Sequence, residues 1–278
     1  MKQIKTVLSI AGSDSCGGAG LQADIKTISS IGLYAAACVT AVTAQNTLGV
    51  RGIEAVSPAM LSAQIEAVLE DLHIDAIKIG MIYNSENVTA IRKSLQKCGY
   101  QGPIVLDPVL VATSGDFLSE KDLVESMKRE LFPMATVVTP NIPEAEVLSG
   151  VGISSLDDMR KVAKTIISET GVRGVLVKGG HGIVLGNEMT DFLVCASGLE
   201  RLFTKPWVNS CNTHGTGCTL SSAIAAFLAR KFPLEKAVQR ATTYVHITID
   251  SAKDMETGHG HGSLNHLFHP KRMIMLEK

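Results

Sequence analysis

Short β-branched runs recur along this chain, and each closes in a Gly-rich or polar cluster before apolar residues resume at helical spacing. Lys5–Ala11 (KTVLSIA) runs into a Gly12–Gly20 loop, after which Leu21, Ile25 and Ile28 follow a helical period. Tyr34–Val42 (YAAACVTAV) runs into the uncharged polar cluster Thr43–Thr47. Strands are also expected at Ala76–Ile79, at Ile104–Leu106 ending in Asp107-Pro108-Val109, at Thr136–Val138 ahead of Asn141 and Glu144, and at Gly174–Val177 ending in Lys178-Gly179-Gly180-His181. Helices are expected over Pro58–Leu72, Asn87–Lys97 and Leu156–Glu169. Buried strands alternating with helices specify a three-layer, doubly wound α/β fold, with a mostly parallel sheet and helices on both faces.

In an open sheet of this kind ligands bind beyond the carboxyl ends of the strands. The Gly12 loop, Gln45, Asp107, Asn141 and Lys178 are therefore expected along one edge, lining one cleft. Asp107 is placed either to face a metal or phosphate, or to cap its own turn. Asn141 and Glu144, three apart at a helix entrance, should project to one side. The Gly12–Gly20 loop has Gly18 where a P-loop needs Lys, and the chain lacks a G-x-G-x-x-G dinucleotide fingerprint. What remains is a loop able to lie close to a small ligand, with Asp14 and Asp24 as polar handles.

The later part of the chain changes character. Ile183–Val194 and Leu199–Pro206 read as short strands at hairpin spacing, and two Ala-rich helices follow over Cys218–Arg230 and Leu234–Ala252. Between them lies NTHGTGCTLSSA, residues 212–223, a Thr/Gly turn emptying into a buried helix. First-turn amides have no partner inside a helix, and glycine leaves further amides uncovered, so this turn forms an anion cradle suited to phosphate. Cys218 sits within a turn of it, where the positive end of the helix favours thiolate over thiol. The pairing suggests phosphoryl transfer, although a helix N-cap with a structural cysteine would read the same way.

No repeat or low-complexity linker divides the 278 residues, which are expected to form a single domain over 1–278. A net charge of -1 gives no general attraction to nucleic acid or anionic membrane, so any phosphate binding must be local. Cys16, Cys38, Cys98, Cys195, Cys211 and Cys218 show no CxxC or CxxH spacing, which indicates neither a zinc site nor a disulfide framework. That usage, the lack of a signal-peptide pattern in MKQIKTVLSI, and polar residues interrupting the uncharged run over 27–50 point to a cytoplasmic protein outside the membrane. Residues 258–262 (GHGHG) could ligate a metal but read better as a flexible loop.

Six segments carry a family resemblance: AGSDSCGGAGLQADIKT from Ala11, TAQNT from Thr43, DPVLVATSGD from Asp107, TPNIPEAE from Thr139, KGGH from Lys178 and NTHGTGCTLSS from Asn212. In this order they resemble the bacterial hydroxymethylpyrimidine/phosphomethylpyrimidine kinases of thiamine biosynthesis, in the ribokinase-like superfamily. The resemblance runs from Ile4 to about His266. It implies ATP and Mg²⁺ as cofactors, and stepwise phosphorylation of the pyrimidine's hydroxymethyl group to a monophosphate and then a diphosphate. Gly215, Thr216 and Gly217 would form the anion hole for the transferring phosphate, with Cys218 as candidate base. Asp107 and Glu144 would hold Mg²⁺ and phosphates, while Asn141, Lys178 and Thr213 would line the ATP side. Gly12, Ala19, Asp24, Gln45, Met81 and Val109 would line the pyrimidine pocket. A homodimer is implied as well. Two positions depart from the family pattern: Cys16 stands where Ser is common, and His261 where Pro is common. Pyridoxal kinase is the nearest rival, since the same chemistry acts there on a different ring. A non-catalytic vitamer-binding protein should have lost the nucleotide and metal groups, which this chain keeps.

Overall fold

The computed structural model describes residues 2–110, 121–180 and 188–277. In chain order the elements are β1 (Lys2–Ile4), β2 (Thr6–Asp14), α1 (Gly20–Ser30), β3 (Tyr34–Asn46), β4 (Gly49–Ala55), α2 (Pro58–Asp71), β5 (Ala76–Ile79), α3 (Ser85–Lys97) and β6 (Ile104–Leu106). They continue with α4 (Lys121–Glu130), β7 (Val137–Val138), α5 (Ile142–Ser149), α6 (Leu156–Thr170), β8 (Gly174–Val177), β9 (Glu188–Cys195), β10 (Glu200–Pro206), α7 (Thr216–Ala229), α8 (Leu234–Asp250) and β11 (Met275–Glu277).

The main sheet runs β10-β9-β8-β7-β6-β5-β2-β3-β4. Its middle, from β8 to β3, is parallel; the antiparallel pairs are β8–β9 and β9–β10 at one edge and β3–β4 at the other. Strand neighbours face opposite ways. Leu8, Ile77, Ile104, Val138 and Val175 join one buried cluster with residues of α2 to α6. Val7, Ala76, Val105, Val137 and Leu176 join the other with α1, α7 and α8. Both faces are thus covered, which is why these strands read as unbroken apolar runs. Every residue of α7 from Thr219 to Ala229 is buried, because α1, α8 and the sheet enclose it.

Three expectations are corrected. Thr43–Asn46 is not a loop after a strand: β3 continues through it and pairs antiparallel with β4, a strand the sequence reading did not assign. β4 is a half-exposed edge strand, so no buried run marks it, and Gly49 supplies the positive φ that turns the hairpin. The short β1–β11 pair was also unanticipated. Finally, residues 258–262 are tied down rather than loose: Gly260 N–H donates to Thr47 Oγ1, His261 N–H to the Thr47 carbonyl, and His214 N–H to the Gly262 carbonyl. The hairpin edge strands β9 and β10 are present, with the stretch 183–187 lying outside the described residues, as do His181 and positions 111–116 of the DPVLVATSGD segment. No helix among the described residues is long and apolar enough to cross a membrane.

Candidate active site

The parallel strands end along one side of the sheet, and there a cleft of about 540 Å³ opens, within the range of small-molecule sites. Gly12, Ala19, Gln45, Met81, Asp107, Val109, Asn141, Glu144, Lys178, Thr213, Gly215, Thr216, Gly217 and Cys218 all line it. Segments from seven parts of the chain therefore converge, as the strand-end pattern requires.

Asp24 is the exception. It is fully buried behind the wall, where Lys78 Nζ donates to its Oδ2 at 2.7 Å, and the Ser9 and Ser222 hydroxyls donate to its two oxygens. It serves a core ion pair and is absent from the cleft lining, because α1 turns that face onto the sheet. Lys78 is itself wholly buried. A lone charge in the apolar strand Ala76–Ile79 was the signal that could have found it.

One end of the cleft is a charged cluster. Asp107, just beyond β6, accepts from Lys178 Nζ at 2.8 Å and from Thr139 Oγ1 at 2.9 Å. Burial pushes its pKa up, but Lys178 and Lys78 outweigh that and hold it below the usual carboxylate range. Glu144 lies 3.9 Å from Lys178 Nζ. Its projection toward the cleft is partly spent on a capping box, in which Glu144 Oε2 accepts from the Asn141 amide and Asn141 Oδ1 from the Glu144 amide. Burial raises Glu144 to about 7, Lys178 opposes the rise, and the Asp107 charge adds to it. The folded protein therefore retains a proton between pH 4.5 and about 7 that the unfolded chain has released. Stability from this group should fall as pH rises through that window. Denaturant titrations at about pH 5 and about pH 7.5 check this: Glu144→Gln should narrow the difference between them.

Beside this cluster the mouth of α7 opens. Gly215 holds φ 85°, ψ 9°, and a Cβ there would run into the Gly18 carbonyl, so the α7 and α1 loops meet backbone to backbone. A Cβ on Gly217 would stand 3.2 Å from Lys178 Nζ and 3.4 Å from Asp107 Oδ2. The first-turn amides of α7 thus look onto the lysine–carboxylate pair, a place where a phosphoryl group would meet dipoles and a cation together.

Cys218 follows, and here the expected thiolate is overturned. Burial raises its pKa to about 11; Lys78 and the Gly20 amide pull down, while Asp24 and Asp107 push up. Desolvation outweighs the helix terminus, and at neutral pH the group is a thiol.

The opposite wall holds a pair whose partnership the sequence did not disclose. Asp14 Oδ2 accepts from the Gly18 and Ala19 amides and lies 2.9 Å from His214 Nε2. Burial opposes its charge, yet the His214 contact and the loop amides hold Asp14 at about 2. Gln45 sits 3.3 Å from His214 through Nε2.

A mostly parallel three-layer sheet whose strand ends bring a lysine–carboxylate pair to a glycine-opened helix mouth defines a ribokinase-like small-molecule kinase. The chain belongs to the phosphomethylpyrimidine kinase family, whose pattern matches residues 14–265. A hydroxymethylpyrimidine/phosphomethylpyrimidine kinase from Rhizobium meliloti is 48% identical over 263 residues, covering 94% of this chain and 96% of that protein. The crystal structure of phosphomethylpyrimidine kinase from Clostridium difficile is 39% identical with a TM-score of 0.77, covering 89% of this chain and all of that one. Pyridoxal kinase from Staphylococcus aureus, solved with AMP-PCP and pyridoxal, is 31% identical with a TM-score of 0.83, covering 95% and 94%.

Proposed function

We propose that this protein transfers the γ-phosphoryl group of ATP to the hydroxymethyl oxygen of 4-amino-5-hydroxymethyl-2-methylpyrimidine, and then a second one to the resulting monophosphate, in thiamine biosynthesis. The single observation that carries the reading is the junction of the α7 mouth with Lys178 and Asp107, facing an uncharged wall of Gly12, Ala19, Gln45, Met81 and Val109. In each step the bond from the γ-phosphorus to the ADP oxygen breaks and a bond to the acceptor oxygen forms; the hydroxymethyl proton leaves in the first step, and an ionised phosphate oxygen of the monophosphate attacks in the second.

The α7 amides and Lys178 would spread the charge of the transferring group over fixed dipoles and a cation. Asn141 and Thr213 would border the nucleotide. The donor set at Asp107 and Glu144 is made of hard oxygens and fits Mg²⁺, which is commonly held by one or two carboxylates together with nucleotide phosphates. When bound, Mg²⁺ would neutralise phosphate charge there; Asp107→Asn should raise the Mg²⁺ concentration needed for half-maximal rate, and an unaltered titration would contradict the assignment.

Cys218 would act as a thiol that orients the hydroxymethyl oxygen, while the proton of that hydroxyl passes to the transferring phosphoryl group or to solvent late in the transfer. Cys218→Ala should lower kcat by about 10²-fold with KM nearly unchanged. An unchanged kcat would dismiss the residue from the chemistry.

The likeness to a pyridoxal-bound kinase makes pyridoxal the acceptor to test beside the pyrimidine. Turnover on hydroxymethylpyrimidine, its monophosphate and pyridoxal decides: the first two should be phosphorylated well and the third poorly. Failure on the monophosphate would remove the second step, and preference for pyridoxal would replace the assigned substrate. We also propose that the chain works as one domain, as a homodimer, and in the cytoplasm, where its free cysteines stay reduced; sedimentation would check the dimer.

A further inference from the structure

Asp14, Cys16 and His214 offer three different ligand chemistries, carboxylate, thiol and imidazole, from two segments that the fold brings together. Asp14 Oδ2 lies 2.9 Å from His214 Nε2 and 3.6 Å from Cys16 Sγ, and the three ligand atoms all lie within 4.8 Å of one another. A tetrahedral zinc ion with bonds of about 2.0–2.3 Å sets its ligands roughly 3.3–3.6 Å apart. The observed separations bracket that span. Asp14 and His214 are buried while Cys16 sits at the exposed rim, so the cluster is closed at its base and open to solvent on one side.

The surroundings favour the same reading. A side chain at position 18 would collide with the His214 ring, so Gly18 is what lets the imidazole descend onto the carboxylate. The Asp14 carboxylate is anchored by the amides of Cys16, Gly18 and Ala19, an outer shell of the kind that orients metal ligands. The amide of Gln45 reaches 3.3 Å from His214 Nε2 and borders the open side.

We propose that Asp14, Cys16 and His214 form a binding site for a thiophilic divalent cation, zinc foremost, on the acceptor side of the cleft and apart from the Asp107–Glu144 pair. Thiolate with imidazole selects zinc or cobalt over Mg²⁺, which keeps to oxygen ligands. Binding releases the Cys16 thiol proton to solvent and displaces the Nε2 proton that His214 shares with Asp14, so that the ring coordinates through Nε2 and keeps its remaining proton on Nδ1.

The test is a cobalt titration of the whole protein without nucleotide or Mg²⁺, followed in the near ultraviolet for the thiolate-to-cobalt charge-transfer band. One equivalent of Co²⁺ should bring up the band and Zn²⁺ should remove it. Cys16→Ser should abolish the band, and His214→Ala should weaken cobalt binding at least about tenfold. In the unmutated protein, Zn²⁺ should shield Cys16 from alkylation in the mapped peptide. A missing band, the same band in Cys16→Ser, or unprotected Cys16 would each overturn the site. The closeness of Gln45 ties this site to the proposed acceptor pocket, but the spectra do not depend on turnover. A protein that binds cobalt through Cys16 yet phosphorylates no pyrimidine would keep the cation site and lose only the assigned substrate.

Discussion

Replacing Gly217 by Val should cut phosphoryl transfer by at least about 10²–10³-fold, the scale of losing a preorganised oxyanion donor. The glycine's place explains the size of the effect. A single added carbon already touches Lys178 Nζ and Asp107 Oδ2, so two further methyl groups would press the cation away and fill the space where the phosphoryl group must sit. The proposed acceptor wall, built from Gly12, Ala19, Gln45 and Met81 on other segments, is untouched. Calorimetry with the pyrimidine alone should accordingly give nearly the original affinity. If acceptor binding and turnover fell together, the separation of an anion cradle from an acceptor pocket would have to be abandoned.

Lys78→Met should be the most damaging single change to stability. It leaves the Asp24 carboxylate buried with only the Ser9 and Ser222 hydroxyls for company. Breaking one side of a buried ion pair costs about 3–5 kcal/mol, or roughly 6–20 °C in Tm for a protein of this size. The loss comes from the stranded charge rather than from the missing bond. Lys78→Met combined with Asp24→Asn should therefore recover much of the melting temperature, since the amide still serves both hydroxyls. A double variant as unstable as the sum of the two singles would show that the pair is not coupled. A second readout bears on the site: Lys78 draws the Cys218 thiol pKa down, so without it the pH at which Cys218 is alkylated should move upward.

Much of this organisation was legible because parallel strands buried on two faces write themselves as unbroken apolar runs. Ala76–Ile79, Ile104–Leu106 and Gly174–Val177 matched the strands found, residue for residue. Their polar exits then had to meet at one edge, which is why Asp107, Asn141 and Lys178 could be grouped from the sequence. The misses have physical causes as well. β4 has no buried face to leave a pattern. Asp24 reads as an available acid only while Lys78 is unknown as its partner, and that pairing spans 54 positions. The Cys218 thiolate followed from the helix terminus alone, whereas the desolvation that reverses it is a property of packing.

Gly260 and His261 clasp Thr47 at the tip of the β3–β4 hairpin, and Gly260 follows Thr47 by 213 positions. During synthesis at about 5–20 residues per second, the hairpin therefore emerges from the ribosome roughly ten to forty seconds before its clasp exists. That wall of the cleft is left unfinished through nearly the whole of translation, and a nascent chain stalled short of residue 260 would carry the hairpin without the two bonds that hold Thr47.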